Sequence, residues 1–212
     1  MQIITKKQKA MPLKIHIFAF LFLMLGPFKI IGPFAKITQG ADPKLTRQIA
    51  FRAMIFSSIA LLLAAILGAR IMSNFTIPLP ILAISGGLIL FLVALLNIIK
   101  QFGTPTATPE KAITPTLDMA INPLAFPTIV TPYGIAAVII FLALSPDLNS
   151  KLTVGVIVLA IMAVNLIFML ITRYIFKFLA VFLALLGAIL GIVQVALGLM
   201  VIYNNFRILL KM

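Results

Sequence analysis

The sequence has no cysteine and no tryptophan, a single histidine, and only four acidic residues beside 17 basic ones. Without cysteine, disulfide bonds, thiolate metal sites and thiol nucleophiles are excluded. The side chains that could bind a metal or act as general acids lie in separate flanks and loops, without metal-ligand spacing: His16, Asp42, Glu110, Asp118 and Asp147. We therefore expect no enzyme activity, no metal site and no cofactor.

Apolar residues dominate the composition. Hydrophobic residues make up 63% of the 212-residue chain and charged residues 10%, and the mean hydropathy is +1.23. Because soluble domains are about half apolar and about a quarter charged, this composition indicates an integral membrane protein. The net charge of +13 is not arranged as a basic stripe with interleaved aromatic residues. Basic residues stand mainly at the ends of apolar runs, where they contact headgroups, so we expect the lipid bilayer as partner and no nucleic acid.

Six apolar segments of membrane-spanning length predict an all-α membrane protein with six transmembrane helices. A short basic hinge, residues 173–177, separates the last two spans in this interpretation. The expected spans are Ile15–Thr38, Thr46–Met72, Ile81–Ile99, Asn122–Leu144, Leu152–Thr172 and Phe178–Tyr203.

A polar segment rich in proline and threonine divides the chain into two halves of three spans each. We predict a basic N-terminal flank (1–14), a first three-helix half (15–102), the linker (103–121) and a second three-helix half (122–212). Because three is odd, the second half enters the membrane from the opposite side, so a repeat of the two halves would be inverted.

Proline interrupts the first and fourth apolar segments, which are the first segments of the two halves. The interrupting residues are Pro27 and Pro33 in the first segment and Pro123, Pro127 and Pro132, followed by Gly134, in the fourth. A regular helix cannot pass through such runs, and the carbonyls it releases must be buried in protein or line a wet cavity. Two broken segments in equivalent positions point to a transport site between them.

Lys29 lies inside the first broken segment and has three interpretations. A lysine at the bilayer centre costs about 2.5–3.5 kcal/mol on insertion scales. Lys29 either snorkels from an off-centre position, or rests on unwound carbonyls, or faces an interior cavity where it pairs with an anionic solute.

Isolated polar side chains in the apolar segments have two interpretations each. Asn97, Asn165 and Gln194 either form hydrogen bonds between helices or line a solute path. Asn122 and Thr131 either satisfy the backbone at a proline break or contact the solute. The candidate substrate-path residues are therefore Lys29, Pro27, Pro33, Asn122, Pro123, Pro127, Thr131, Pro132, Gly134, Asn97 and Gln194.

Glycines on the third segment of each half are interpreted as packing positions, because small residues let helix backbones approach in lipid. These helix-packing candidates are Gly86, Gly87, Gly187, Gly191 and Gly198. The same small faces make a homo-oligomer a candidate assembly.

Four short segments, taken together and in order, resemble the MarC family of bacterial membrane proteins. They are Thr46–Ala53, Leu82–Phe91, Pro123–Pro127 and Thr131–Ile135. The resemblance implies a six-helix protein of the bacterial inner membrane, similar to LysE-type exporters of small molecules. The family typically has Asp or Asn before the first proline and glycine two residues after it. Gly26 and Lys29 stand at those positions here.

The leading hypothesis is a small-solute exporter or permease of the inner membrane, with its site between the two broken segments. The alternative is a non-transporting membrane protein or accessory subunit that packs through its glycine-rich helix faces. The alternative predicts that the proline breaks are packed shut, without a polar cavity.

Overall fold

The computed structural model describes residues 13–102, 114–145 and 147–210, and all regular structure in these residues is helical. The predicted all-α class is therefore confirmed. Most of the predicted basic flank (1–12) and of the linker (103–113) lies outside the described residues. The elements are α1 (Leu13–Leu25), a 3₁₀ turn (Pro27–Lys29), α2 (Ile31–Ile37), α3 (Pro43–Asn74), α4 (Leu79–Phe102), a 3₁₀ turn (Leu117–Ala120), a π-helical stretch (Ile121–Ile129), α5 (Pro132–Ala143) and α6 (Leu148–Leu210).

Five helical stretches in the described residues are long and apolar enough to cross a membrane: Ile17–Ile37, Pro43–Asn74, Leu79–Ile99, Leu148–Tyr174 and Leu185–Leu210. Residues 117–129 and 132–143 form a sixth if they are counted as one span, and the two parts meet at a bend of 63°. The chain is thus a multi-pass helical membrane protein with five or six spans.

Two aspartates fix the starts of long helices. Asp42 precedes Pro43, and its carboxylate accepts a hydrogen bond from the Leu45 backbone N–H at 2.7 Å, which caps α3. Asp147 caps α6 by accepting from the Ser150 hydroxyl at 2.6 Å and from the Ser150 backbone N–H at 3.0 Å. The Ser150 hydroxyl holds the pKa of Asp147 below its ordinary value.

The basic hinge predicted at residues 173–177 is wrong as a helix boundary, because the backbone of α6 stays helical there. No proline or glycine occurs between Gly155 and Gly187 to end the helix. The chain nevertheless changes direction inside α6. Side chains of Asn165 and Gln194 both bind carbonyls at the end of α1, although they would lie about 44 Å apart along a straight helix.

The buried core lies where the two broken segments meet the spans that follow them. Its largest fully buried side chains come from the first broken segment, α3, the second broken segment and the first span of α6, with one from α4: Phe34, Leu21, Leu25, Ile30, Ile31, Ile49, Leu61, Leu124, Ile129, Ile161, Met162 and Leu90. In the most apolar part of the second span of α6 (residues 185–210), only 11% of the residues are buried. This span therefore lies at the edge of the bundle.

The second span of α6 packs against α4 through backbone contact. A Cβ atom added to Gly198 would lie 2.8 Å from the Gly87 carbonyl oxygen and 2.9 Å from the Phe91 backbone nitrogen. Nothing lies within 4 Å of a Cβ added to Gly187. Of the glycines predicted to pack, Gly87 and Gly198 make the close approach and Gly187 does not.

This contrast gives a matched pair of substitutions. We expect Gly198→Ala to lower the free energy of unfolding by about 1–3 kcal/mol, because the new methyl group meets backbone atoms that cannot move aside. Gly187→Ala should leave stability unchanged or raise it by up to about 1 kcal/mol, since alanine favours helix. Thermal unfolding of the purified protein in detergent measures both, and equal melting temperatures for the two variants would contradict the proposed contact.

Candidate functional site

The first break (residues 26–30) releases the carbonyls at the C-terminal end of α1. In a continuous helix the Leu23 carbonyl would accept from residue 27, but Pro27 has no N–H. Gly26 still donates to the Phe22 carbonyl at 2.8 Å, and a side chain at Gly26 would collide with that oxygen. The helical path resumes where Ile30 donates to the Pro27 carbonyl at 2.9 Å.

Three side chains replace the missing backbone donors. The Gln194 amide donates to the Leu23 carbonyl at 2.9 Å, and the Asn165 amide donates to the Leu25 carbonyl at 2.7 Å. The Lys29 ammonium donates to the carbonyl between them, that of Met24. The interhelical hydrogen bonds considered for both amides are present, and both serve the first break.

Lys29 connects the first break to the start of α5. Its Nζ lies 3.2 Å from the Tyr133 hydroxyl and 4.9 Å from the centre of the Tyr133 ring. The ammonium also faces the C-terminal end of α1, where the helix dipole favours a positive charge. Lys29 is half-buried, so these contacts do not enclose its side chain completely.

A cavity of about 290 Å³ lies beside Lys29, between the first break, α4 and the second span of α6; we call it the break cavity. It extends towards the face of the bundle where α4 ends and the second span of α6 begins. Its lining includes five predicted residues, three from the solute path and two from the packing group: Lys29, Asn97, Gln194, Gly187 and Gly191. The remaining lining residues are Phe22, Leu23, Gly26, Phe28 and Leu190.

The second break (residues 121–131) satisfies its backbone locally. The Thr131 hydroxyl accepts from the Gly134 backbone N–H at 3.2 Å and caps α5. The Thr128 hydroxyl donates to the Pro123 carbonyl at 2.8 Å, and the Val130 N–H donates to the Ala125 carbonyl at 2.8 Å. Thr131 thus has the capping role that was one of the two considered for it.

The proline-rich residues of the second break are not in the lining of the break cavity. The exposed ones are Asn122, Pro123, Pro127 and Pro132, and Pro33 of α2 is exposed as well. Pro27 is buried at the first break. The two broken segments do meet, because a Cβ on Gly134 would lie 2.6 Å from the Leu25 side chain. The second broken segment therefore reaches the candidate site through the start of α5.

Tyr133 is the residue that sequence reasoning missed. It is 6% exposed and lies between Lys29 and a second, much smaller space. This residual space has a volume of about 20 Å³ and is lined partly by small residues of α4 and α5: Ala83, Gly86, Gly87, Ala136 and Ala137. Such a volume holds about one water molecule. An aromatic hydroxyl inside a proline-broken segment was the available signal.

The role of Asn165 at the first break can be measured. We expect Asn165→Leu to lower the free energy of unfolding by about 1–3 kcal/mol, because the Leu25 carbonyl loses its donor where water is scarce. Asn97→Leu is the matched control: Asn97 is exposed and should change stability by less than about 0.5 kcal/mol. Thermal unfolding in detergent compares them, and a control as unstable as Asn165→Leu would contradict the assigned role.

Comparison with known proteins agrees with the resemblance found in the sequence. Residues 11–210 match the profile of a family described as "MarC family integral membrane protein". A UPF0056 membrane protein of Methanocaldococcus jannaschii is 29% identical over 164 residues, which are 76% of this chain and 80% of that relative. No solved structure matches the chain. Because the family match extends over almost the entire sequence, the protein belongs to the MarC family of integral membrane proteins.

Proposed function

We propose that the protein is a small-solute exporter or permease of the bacterial inner membrane, and that the break cavity is its solute site. The observation that carries this proposal is a lysine that lines a cavity inside an apolar bundle. Ionisable groups at such positions are costly and usually mark a solute or ion path.

The polar groups around the break cavity support a binding role. Lys29, Asn97 and Gln194 come from three different elements and line the same space. Ligand sites typically combine apolar walls with a few convergent polar groups, and Phe22, Phe28 and Leu190 supply such walls here. Transport requires, in addition to this binding site, a route for the solute through the helix bundle.

In this proposal the contact between Lys29 and Tyr133 blocks the route at one end of the break cavity. Lys29 lines the break cavity, and Tyr133, which contacts Lys29, lines the residual space of about 20 Å³. The small residues around the residual space, such as Gly86 and Ala137, let α4 and α5 approach closely there. In the proposed cycle Tyr133 moves away from Lys29 and joins the two spaces, which opens the site towards the opposite face.

The proposal includes an inverted repeat of the two halves. Each half has a broken segment followed by two long apolar spans. The interruption lies between α1 and α2 in the first half and before α5 in the second half. Transporters built from inverted repeats bind their solutes where the broken segments of the two halves meet. In this chain the broken segments meet at Leu25 and Gly134, and the break cavity lies next to this contact, on the side of the first break.

Cysteine labelling tests whether the break cavity contains water, and the natural chain has no cysteine to interfere. We expect Asn97→Cys to react with a membrane-impermeant maleimide from one side of sealed vesicles. Leu96→Cys is the control at the same depth: Leu96 is 53% exposed but is not part of the cavity lining, so lipid should protect it. If both variants stay unreactive from both sides, the cavity is dry and the non-transporting alternative is favoured.

A blocking substitution tests transport itself. Gly187 and Gly155 both have nothing within 4 Å of an added Cβ, but only Gly187 lines the break cavity. In proteoliposomes we expect Gly187→Phe to reduce solute flux to the level of protein-free liposomes, because the ring fills the cavity, and Gly155→Phe to retain it. The solutes are methanesulfonate, taurine, erythritol and tetramethylammonium. If none of them crosses faster with wild-type protein than without it, the permease proposal is wrong.

A further inference from the structure

We infer that the solute of the break cavity is a small anion with a single net negative charge. This inference rests on the proposed function and assigns the chemical class of its solute. Three features carry it: the charge of the lining, the unused hydrogen-bonding groups and the size of the space.

The described lining of the break cavity contains one cationic side chain and no carboxylate. Lys29 contacts the Met24 carbonyl and the hydroxyl and ring of Tyr133, and none of these groups neutralises its charge. The acids in the part of the chain that the structure describes are Asp42, Asp118 and Asp147, and none of them is in the cavity lining. A bound anion would supply the missing countercharge in a medium where charges interact strongly.

Lys29 also keeps a donor for the solute. An ammonium group has three N–H donors, and two are directed to the Met24 carbonyl and the Tyr133 hydroxyl. No described residue accepts from the third, so it is placed to donate to an anion in the cavity. Hydrogen bonds between an ammonium group and an anionic oxygen are shorter and stronger than those between neutral partners. The break thus fixes the ammonium in place while it leaves one donor unused.

The amides around the cavity add weaker, uncharged contacts. Gln194 uses its Nε2 on the Leu23 carbonyl, so its amide oxygen remains as an acceptor, and Asn97 contributes both an acceptor and a donor group. These groups fit hydroxyl or carbonyl groups on the solute. They do not supply a negative charge for a cationic solute, so the lining disfavours cations.

The size of the break cavity limits the anion. A volume of about 290 Å³ is at the small end of the range for ligand pockets, which is about 300–1,000 Å³. The cavity therefore favours small carboxylates, sulfonates and inorganic oxyanions over nucleotides and peptides.

Flux through proteoliposomes tests the charge preference directly. Methanesulfonate is the anionic probe, taurine carries the same sulfonate together with an ammonium group, erythritol is neutral and tetramethylammonium is cationic. All four keep their charge across the working pH range, so none leaks as a neutral acid or base. Valinomycin with potassium removes the membrane potential. We expect methanesulfonate to cross about tenfold faster than the other three probes.

Substitutions at Lys29 separate its charge from its structural hydrogen bond. Lys29→Gln keeps a donor for the Met24 carbonyl but removes the charge, and should reduce methanesulfonate flux by about tenfold. Lys29→Arg keeps the charge and should retain most of the flux. Lys44→Gln removes an exposed charge at the start of α3 and should leave the flux unchanged. Melting temperatures establish that each variant is folded.

The outcomes distinguish this inference from the proposed function. Faster flux of taurine, erythritol or tetramethylammonium, or equal methanesulfonate flux in wild type and Lys29→Gln, overturns the anion assignment and leaves the permease standing. If no probe crosses, the permease is wrong, and methanesulfonate is then tested as a protectant of Asn97→Cys against maleimide. If methanesulfonate protects Asn97→Cys, and adding Lys29→Gln abolishes this protection, the cavity binds an anion without transporting it. Absence of protection overturns the anion assignment as well.

Discussion

Everything near the candidate site depends on three consecutive carbonyls at the end of α1 that have lost their helical donors. In water such groups would be solvated, but in a bilayer each must find a partner within the protein. Gln194, Lys29 and Asn165 provide those partners for Leu23, Met24 and Leu25 respectively. The requirement draws both spans of α6 against the first break and fixes the position of the lysine.

The two breaks meet the same constraint in opposite ways. The second break closes on itself: the Thr128 hydroxyl and the Val130 N–H donate to carbonyls five residues earlier, and the Thr131 hydroxyl accepts from the Gly134 N–H. The first break has one local donor, the Lys29 ammonium, and takes two amides from far along the chain. The cavity lies at this first break, although the second has more prolines.

Much of the fold could be predicted from the sequence, because apolar length and proline position act locally. The spans α3 and α4, the two broken segments and the capping pair Asp42 and Pro43 follow from such local signals. The continuous backbone of α6 could not be predicted in this way. The basic residues at 173–177 suggested a hinge, although no residue there ends a helix. Lys29, Asn97 and Gln194 are recognisable in the sequence as polar residues in apolar segments, and the structure places them around one space. Their contact with Tyr133 depends on tertiary packing, which no local pattern encodes.

The hydrogen bond from Gln194 to Leu23 joins residues 171 positions apart. During synthesis the first segment therefore enters the membrane long before its partner exists. Until the last span arrives, the Leu23 carbonyl must pair with water, lipid headgroups or the insertion machinery. The final span thus completes a structure begun by the first, and a chain that stops before residue 194 would carry an unfinished first helix. Pairing of the Leu23 carbonyl therefore waits for synthesis of the span that contains Gln194.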